Sequence, residues 1–246
     1  MKLTLAEPRL LKESIGIISD LVNEVSIKVD SNKIQIIAMD PANVAMTVFK
    51  LLSSAFIEYS IDTETTLSLS LESLKQVLRR AKPTDSLSLE LEENRLKISL
   101  IGDSVRTFKI SLLDLEERDQ KIPQLSFSLN VKTSSHILSE AVEDVSIIAE
   151  SVLFEVEPGK MTVASEGNLN DAKVEIRADE VTEIKTESSR VKSKYSIEYL
   201  KKIIAGSRLA DEVTIEFAKD YPLKITYFIL NKLELTFILA PRVENI

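Results

Sequence analysis

Lysine and arginine collect on the polar sides of three predicted helices. Arg9 and Lys12 lie opposite the apolar stripe of the first helix. Lys75, Arg79 and Lys82 follow helical spacing on the second, with Arg80 beside them. Lys201, Lys202 and Arg208 occupy or follow the fourth. Cations set out this way can meet successive phosphates of a nucleic acid without reading its bases. The plain alternative is a solvated helix face whose C-terminal cations answer the helix dipole. The third helix breaks the pattern. It carries Glu140, Glu143 and Asp144, and no Lys or Arg stands between Lys132 and Lys160. His136 is its only possible cation and is expected to be a surface or capping residue.

Other chemistry is sparse. Asp40, Asp62, Glu72 and Asp85 could supply carboxylates, but nothing in their spacing demands a pair, and they read as solvation and loop chemistry. The chain has no cysteine, one histidine, no tryptophan and only five glycines. Disulfides, thiolate metal sites and cysteine nucleophiles are excluded. No GxxxxGK[ST] phosphate loop is present. No catalytic residue, metal or cofactor is expected, so the chain reads as a non-enzyme. The 246 residues are 44% hydrophobic and 28% charged, as in soluble globular chains. No apolar run reaches the roughly 20 residues of a membrane helix, and no signal peptide is seen, so a cytoplasmic protein is expected. The net charge is −8. Residues 1–113 carry 14 basic and 15 acidic groups, and residues 114–246 carry 17 and 24. Any surface for nucleic acid must therefore be a local basic patch on an acidic body.

The elements that would position these residues occur twice. At an offset of 127, Leu11 falls on Leu138, Ile15 on Val142, Ile18 on Val145, Val25 on Val152, Val29 on Val156 and Ile36 on Val163. At 126, Leu74 falls on Leu200, Lys75 on Lys201, Asp85 on Asp211 and Leu89 on Ile215. Two ordered blocks at nearly one offset indicate two copies of one fold. Each copy opens on a helix striped at i, i+4, i+7 and i+11, starting at Leu11 and at Leu138. Alternating strands follow, then a second helix (about 71–81 and 196–206), then closing strands. The expected fold is α+β, with helices on one face of antiparallel sheets. The expected domains are 1–113 and 127–246, joined by a polar linker over 114–126.

Several strings resemble the sliding-clamp family of archaea and eukaryotes, the proliferating cell nuclear antigen (PCNA) family. They are Ala38-Met39-Asp40-Pro41-Ala42-Asn43-Val44, the Ile122-Pro123 at the linker's end, Tyr221-Pro222-Leu223-Lys224-Ile225 and Leu239-Ala240-Pro241-Arg242. The resemblance covers essentially the whole chain. It implies two tandem clamp domains per subunit and a closed, pseudo-sixfold ring of three subunits. Such a ring encircles duplex DNA without regard to sequence. It tethers DNA polymerase, flap endonuclease and ligase after opening by a clamp loader.

The resemblance also assigns residues. Arg9, Lys12, Lys75, Arg79, Arg80, Lys82, Lys201, Lys202 and Arg208 would face DNA. Met39, Val44, Met46, Ile122, Pro123, Phe127, Pro222, Ile238, Leu239, Ala240 and Pro241 would form a groove for partner peptides, with core packing the alternative for about half of them. Gln120 and Lys121 make the linker more polar than the family's usual residues. Arg106, Phe108 and Ile110 of one subunit would pair with Lys173, Val174, Glu175, Ile176 and Arg177 of the next. The acidic third helix favours a ring that includes other clamp subunits; a homotrimer is the alternative. Two further readings are a checkpoint-type clamp subunit and a duplicated α+β interaction protein with no DNA role.

Overall fold

A computed structural model describes residues 1–115 and 120–242. In chain order the elements are β1 (Lys2–Leu5), α1 (Arg9–Ile18), β2 (Glu24–Val29), β3 (Lys33–Met39), β4 (Ala45–Leu52), β5 (Glu58–Ser60), β6 (Thr65–Ser70), α2 (Leu71–Arg79), β7 (Ser86–Glu92), β8 (Arg95–Ile101) and β9 (Val105–Ser111). The same pattern then repeats as β10 (Leu129–Ser134), α3 (Ser135–Val145), β11 (Ser151–Glu157), β12 (Lys160–Glu166), β13 (Asp171–Arg177), β14 (Glu183–Thr186), β15 (Val191–Ser196), α4 (Ile197–Ile203), β16 (Glu212–Phe217), β17 (Leu223–Ile229) and β18 (Leu233–Leu239). Two 3₁₀ turns follow β4 and α4, the second over Ile204–Arg208. Two tandem clamp domains of α+β type are what this order shows. Among the described residues, no helix is long and apolar enough to cross a membrane.

Two compact units result. The first takes in Met1–Pro41, Thr47–Ile122 and Ile229–Leu235; the second takes in Ala42–Met46, Pro123–Phe228 and Thr236–Ile246. In the first unit one sheet runs β5-β1-β7-β8-β9, and β6-β2-β3-β4 lie side by side in another. In the second unit one sheet runs β13-β12-β11-β15, and β14-β10-β16-β17-β18 lie side by side.

The helices form because apolar residues recur at helical spacing. In α1, Leu11, Ile15 and Ile18 point inward and are buried, with Pro8 preceding the first turn. In α3, Leu138, Val142 and Val145 do the same. The strands alternate, as β2 and β3 show by burying Val25, Ile27, Val29, Ile34 and Ile36. Asp30 closes their hairpin: its Oδ1 accepts the backbone N–H of Asn32 at 2.7 Å and of Lys33 at 3.0 Å. The matching hairpin of the second unit turns at Gly159, whose φ of +80° a Cβ would strain.

Candidate functional site

The basic helix ends meet first. In the first unit α1 packs on α2. Lys12 Nζ donates to the Ala81 carbonyl at 3.1 Å, and Lys75 Nζ lies 2.9 Å from Asp20 Oδ1. These two bonds show that the helices run antiparallel, so the start of α1 lies beside the end of α2. Arg9, Arg79, Arg80 and Lys82 are thereby gathered at one end of the pair, all exposed. Lys82 Nζ reaches Asp103 at 3.3 Å. Lys12 and Lys75 are half-buried and already engaged, so they contribute less to an outward cationic surface than their spacing suggested.

In the second unit α3 packs on α4. Lys201 and Arg208 are exposed, and Lys202 is half-buried. Lys202 Nζ pairs with Glu198 at 3.2 Å and lies 5.4 Å from the Tyr199 ring centroid. On α3, Glu140, Glu143 and Asp144 are all exposed, and His136 Nε2 is 3.3 Å from Glu140. The acidic helix read from sequence therefore stands as a surface feature.

The end of α2 is locked by a carboxylate. Asp85 is buried, and its Oδ2 accepts the Lys82 backbone N–H at 2.7 Å. The Arg106 guanidinium donates to the same carboxylate and, at 2.8 Å, to the Arg80 carbonyl. The Lys82 N–H first, and the guanidinium second, hold the Asp85 carboxyl below its usual range, although burial opposes them. Arg106 was expected to serve a neighbouring subunit. Its side chain instead turns back into its own domain, because a buried carboxylate and an uncapped helix carbonyl lie within its reach.

The other residues expected at subunit contacts lie on sheet ends. Among the described residues β9 pairs only with β8, and β13 only with β12. In β9, Phe108 and Ile110 are half-buried on one face. In β13, Val174 is half-buried and Ile176 is buried, while Lys173, Glu175 and Arg177 are exposed. Lys173 Nζ sits 2.7 Å from Glu175, and its hydrogen bond holds the Glu175 carboxyl below its usual range. Each strand offers unmet backbone donors and acceptors along one side, a template for another strand.

The expected peptide groove divides. Val44, Ala240 and Pro241 line one open cavity of about 630 Å³ in the second unit. Hydrogen bonds hold its wall: Ala240 N–H donates to Val44 O at 2.9 Å, and Arg242 N–H to Lys194 O at 2.7 Å. The sequence did not announce the rest of the lining, which includes Ser146, Glu150, Ser196, Ile197 and Tyr199. Its one legible signal was Arg242 at the end of the Leu-Ala-Pro-Arg string. Phe127 packs edge-on against Tyr221 at 6.0 Å, with Lys224 Nζ 5.9 Å from its centroid, beside Pro222. Ile122 and Pro123 are exposed, and Met39 is half-buried. Leu239, Met46 and Ile238 correct the expectation. Their relative exposures are 0%, 6% and 8%, so they pack in the core and little of their surface is open to a docked peptide. The run of burial along β18 explains Leu239: every residue from Leu235 to Leu239 is buried, so both faces of this stretch are covered. Gln120 and Lys121 lie in the linker, and no helix or strand covers its described residues.

Among the described residues no group of three or more His, Cys, Asp or Glu is placed to hold a metal ion.

Comparison with known proteins agrees along the whole chain. The family model "Proliferating cell nuclear antigen, N-terminal domain" matches residues 1–122, and the C-terminal domain model matches residues 121–242. The chain is 36% identical over 229 residues to the DNA polymerase sliding clamp of Pyrococcus horikoshii, covering 92% of each chain. It is 34% identical over 248 residues to that of Nanoarchaeum equitans, covering 98% of this chain and 99% of the other. The crystal structure of PCNA from Thermococcus kodakaraensis superposes with a TM-score of 0.92 at 28% identity, over 98% of this chain and 99% of that one.

Proposed function

This chain belongs to the proliferating cell nuclear antigen family, and we propose that it acts as a DNA polymerase sliding clamp subunit in replication. The single observation that carries the reading is the gathering of Arg9, Arg79, Arg80 and Lys82 at one end of the α1–α2 pair, in a unit whose last strand, β9, pairs only with β8 among the described residues. Cations on helix ends bind phosphates without reading bases, which a sliding protein requires. Among the described residues β9 of the first unit and β13 of the second each leave one side unpaired, which suits head-to-tail association, and this makes a ring when the rotation closes.

In this reading three subunits surround duplex DNA, β9 of one pairing with β13 of the next. The cavity beside Val44, Ala240 and Pro241 takes a short segment of a polymerase, flap endonuclease or ligase, and a clamp loader opens the ring. The clamp makes and breaks no bond. It acts in the cytoplasm by raising the effective concentration of its clients at the DNA.

Ring composition turns on α3. If Glu140, Glu143 and Asp144 face the DNA, other clamp subunits must supply the missing cations, and the ring is mixed. If they meet cations of an adjoining subunit, copies of this chain suffice.

The test is primer extension on singly primed circular DNA with a clamp loader and an archaeal replicative polymerase. Adding this chain, with any co-purifying clamp subunit, should lengthen the products several-fold. Unchanged product length in both arms would reject the reading.

A further inference from the structure

The end of α2 and the start of β9 are joined through one buried carboxylate. Asp85 accepts from the Lys82 backbone and from Arg106, and Arg106 also caps the Arg80 carbonyl. The site is closed to anything larger: a Cβ on Gly102, in the β8–β9 hairpin, would collide with Asp85 Oδ1. Three pieces of chain thus converge on Asp85, namely the turn that follows α2, the β8–β9 hairpin at Gly102 and β9 through Arg106. We infer that the Arg106–Asp85 pair is a positioning latch, which fixes the basic end of α2 to the strand that closes the ring. It would set the pose of Arg79, Arg80 and Lys82 and the edge of β9 together. This inference rests on the sliding-clamp reading.

The internal repeat supports a specific purpose. In the second copy the residue matching Asp85 is Asp211, which is exposed. Matching β9 to β18 by their first residues, Val105 and Leu233, puts Glu234 where Arg106 stands, whereas the offset of 126 that relates Asp85 to Asp211 puts Lys232 there, in the turn before β18. The fold therefore forms without this device, and its presence in the first copy calls for a reason other than folding. The features that set the first copy apart are the basic cluster beside the latch and the strand β9 that Arg106 itself stands on. A guanidinium suits both tasks, because its planar fork reaches a carboxylate and a carbonyl at once. Arg106 is a positioning residue: its guanidinium is predicted to touch neither DNA nor the adjoining subunit.

The test uses full-length rings carrying Arg106→Gln, Arg106→Lys, Asp85→Asn, or Arg106→Gln with Asp85→Asn. Three quantities are read: ring lifetime on dilution by native mass measurement, the salt dependence of DNA binding, and the melting temperature. Arg106→Gln should shorten ring lifetime about tenfold. It should also flatten the slope of log affinity against log salt, which loses about 0.9 for each phosphate contact no longer made. Arg106→Lys should recover part of both. The double variant should be no worse than either single one, because the two residues act as one unit. The inference fails if Arg106→Gln leaves lifetime and slope at wild-type values. It fails equally if the single losses add, since Arg106 would then act on something other than Asp85. If Asp85→Asn does not fold, the comparison of Gln with Lys at position 106 still decides. A wild-type chain that neither forms rings nor binds DNA would instead reject the function itself.

Discussion

The ammonium of Lys12 lies 3.1 Å from the carbonyl oxygen of Ala81, so the first helix begins where the second one ends. The bond marks an antiparallel packing of α1 on α2 that brings residues some seventy positions apart onto one basic surface. It also shows that the nine cations picked out by spacing are not equivalent. Replacing Lys12 with Ala should change the salt slope of DNA binding little. Replacing Arg79, Arg80 or Lys201, which are exposed, should each lower it by about 0.9 and weaken binding to all sequences alike. Fluorescence anisotropy over a salt series reads both. An equal effect at Lys12 and Arg79 would contradict the assignment.

Strand β9 is expected to pair with β13 of an adjoining subunit. Proline at Phe108 or at Ile176 removes a backbone donor and should reduce assembly. Native mass measurement at micromolar concentration should show smaller species for both variants. An undiminished oligomer in both would place the contact elsewhere.

In the groove, burial changes which substitution is informative. Leu239→Asp puts a charge into the core and should unfold the domain, costing about 3 kcal/mol or more. Pro241→Asp and Val44→Asp alter the cavity wall and should abolish binding of a partner peptide while leaving the melting temperature within a few degrees. Calorimetry showing undiminished peptide binding by both variants would refute this placement.

Asp85 should leave a mark on acid stability. Its carboxyl is held below the ordinary value of 3.8 in the folded chain. A depressed folded value stabilises the protein at pH above the unfolded value, and this stability is lost as pH falls through the folded one. The wild type should therefore lose stability below about pH 4, and Asp85→Asn should show a flatter acid limb from a lower starting point. Acid limbs of equal steepness would contradict the role given to this carboxylate.

Much of this architecture was legible in the sequence because it is written in periodicity. The stripe from Leu11 and its echo from Leu138 became α1 and α3, and the alternation of Val25, Ile27 and Val29 became β2. The acidic face of α3 was readable for the same reason, since its charges alternate with a buried stripe. What periodicity could not show was where long side chains go. Lys12 lies on an outward-reading position and Arg106 on the face of β9 that carries Phe108 and Ile110, yet both side chains end on local acceptors that spacing does not reveal. Leu239 sits beside Ala240 and Pro241 in one string, but β18 buries it and leaves its neighbours at the cavity. Such outcomes depend on contacts between distant segments, which spacing along one segment does not encode.

The central claim is topological: the protein holds DNA by enclosing it. After loading onto closed circular DNA and removal of free protein, the amount of clamp retained should be high and stable. Cutting the circle once with a restriction enzyme should release it within minutes, because a ring slides off a free end. Retention unchanged by linearisation would mean that the chain grips DNA by contact alone, and would contradict the account.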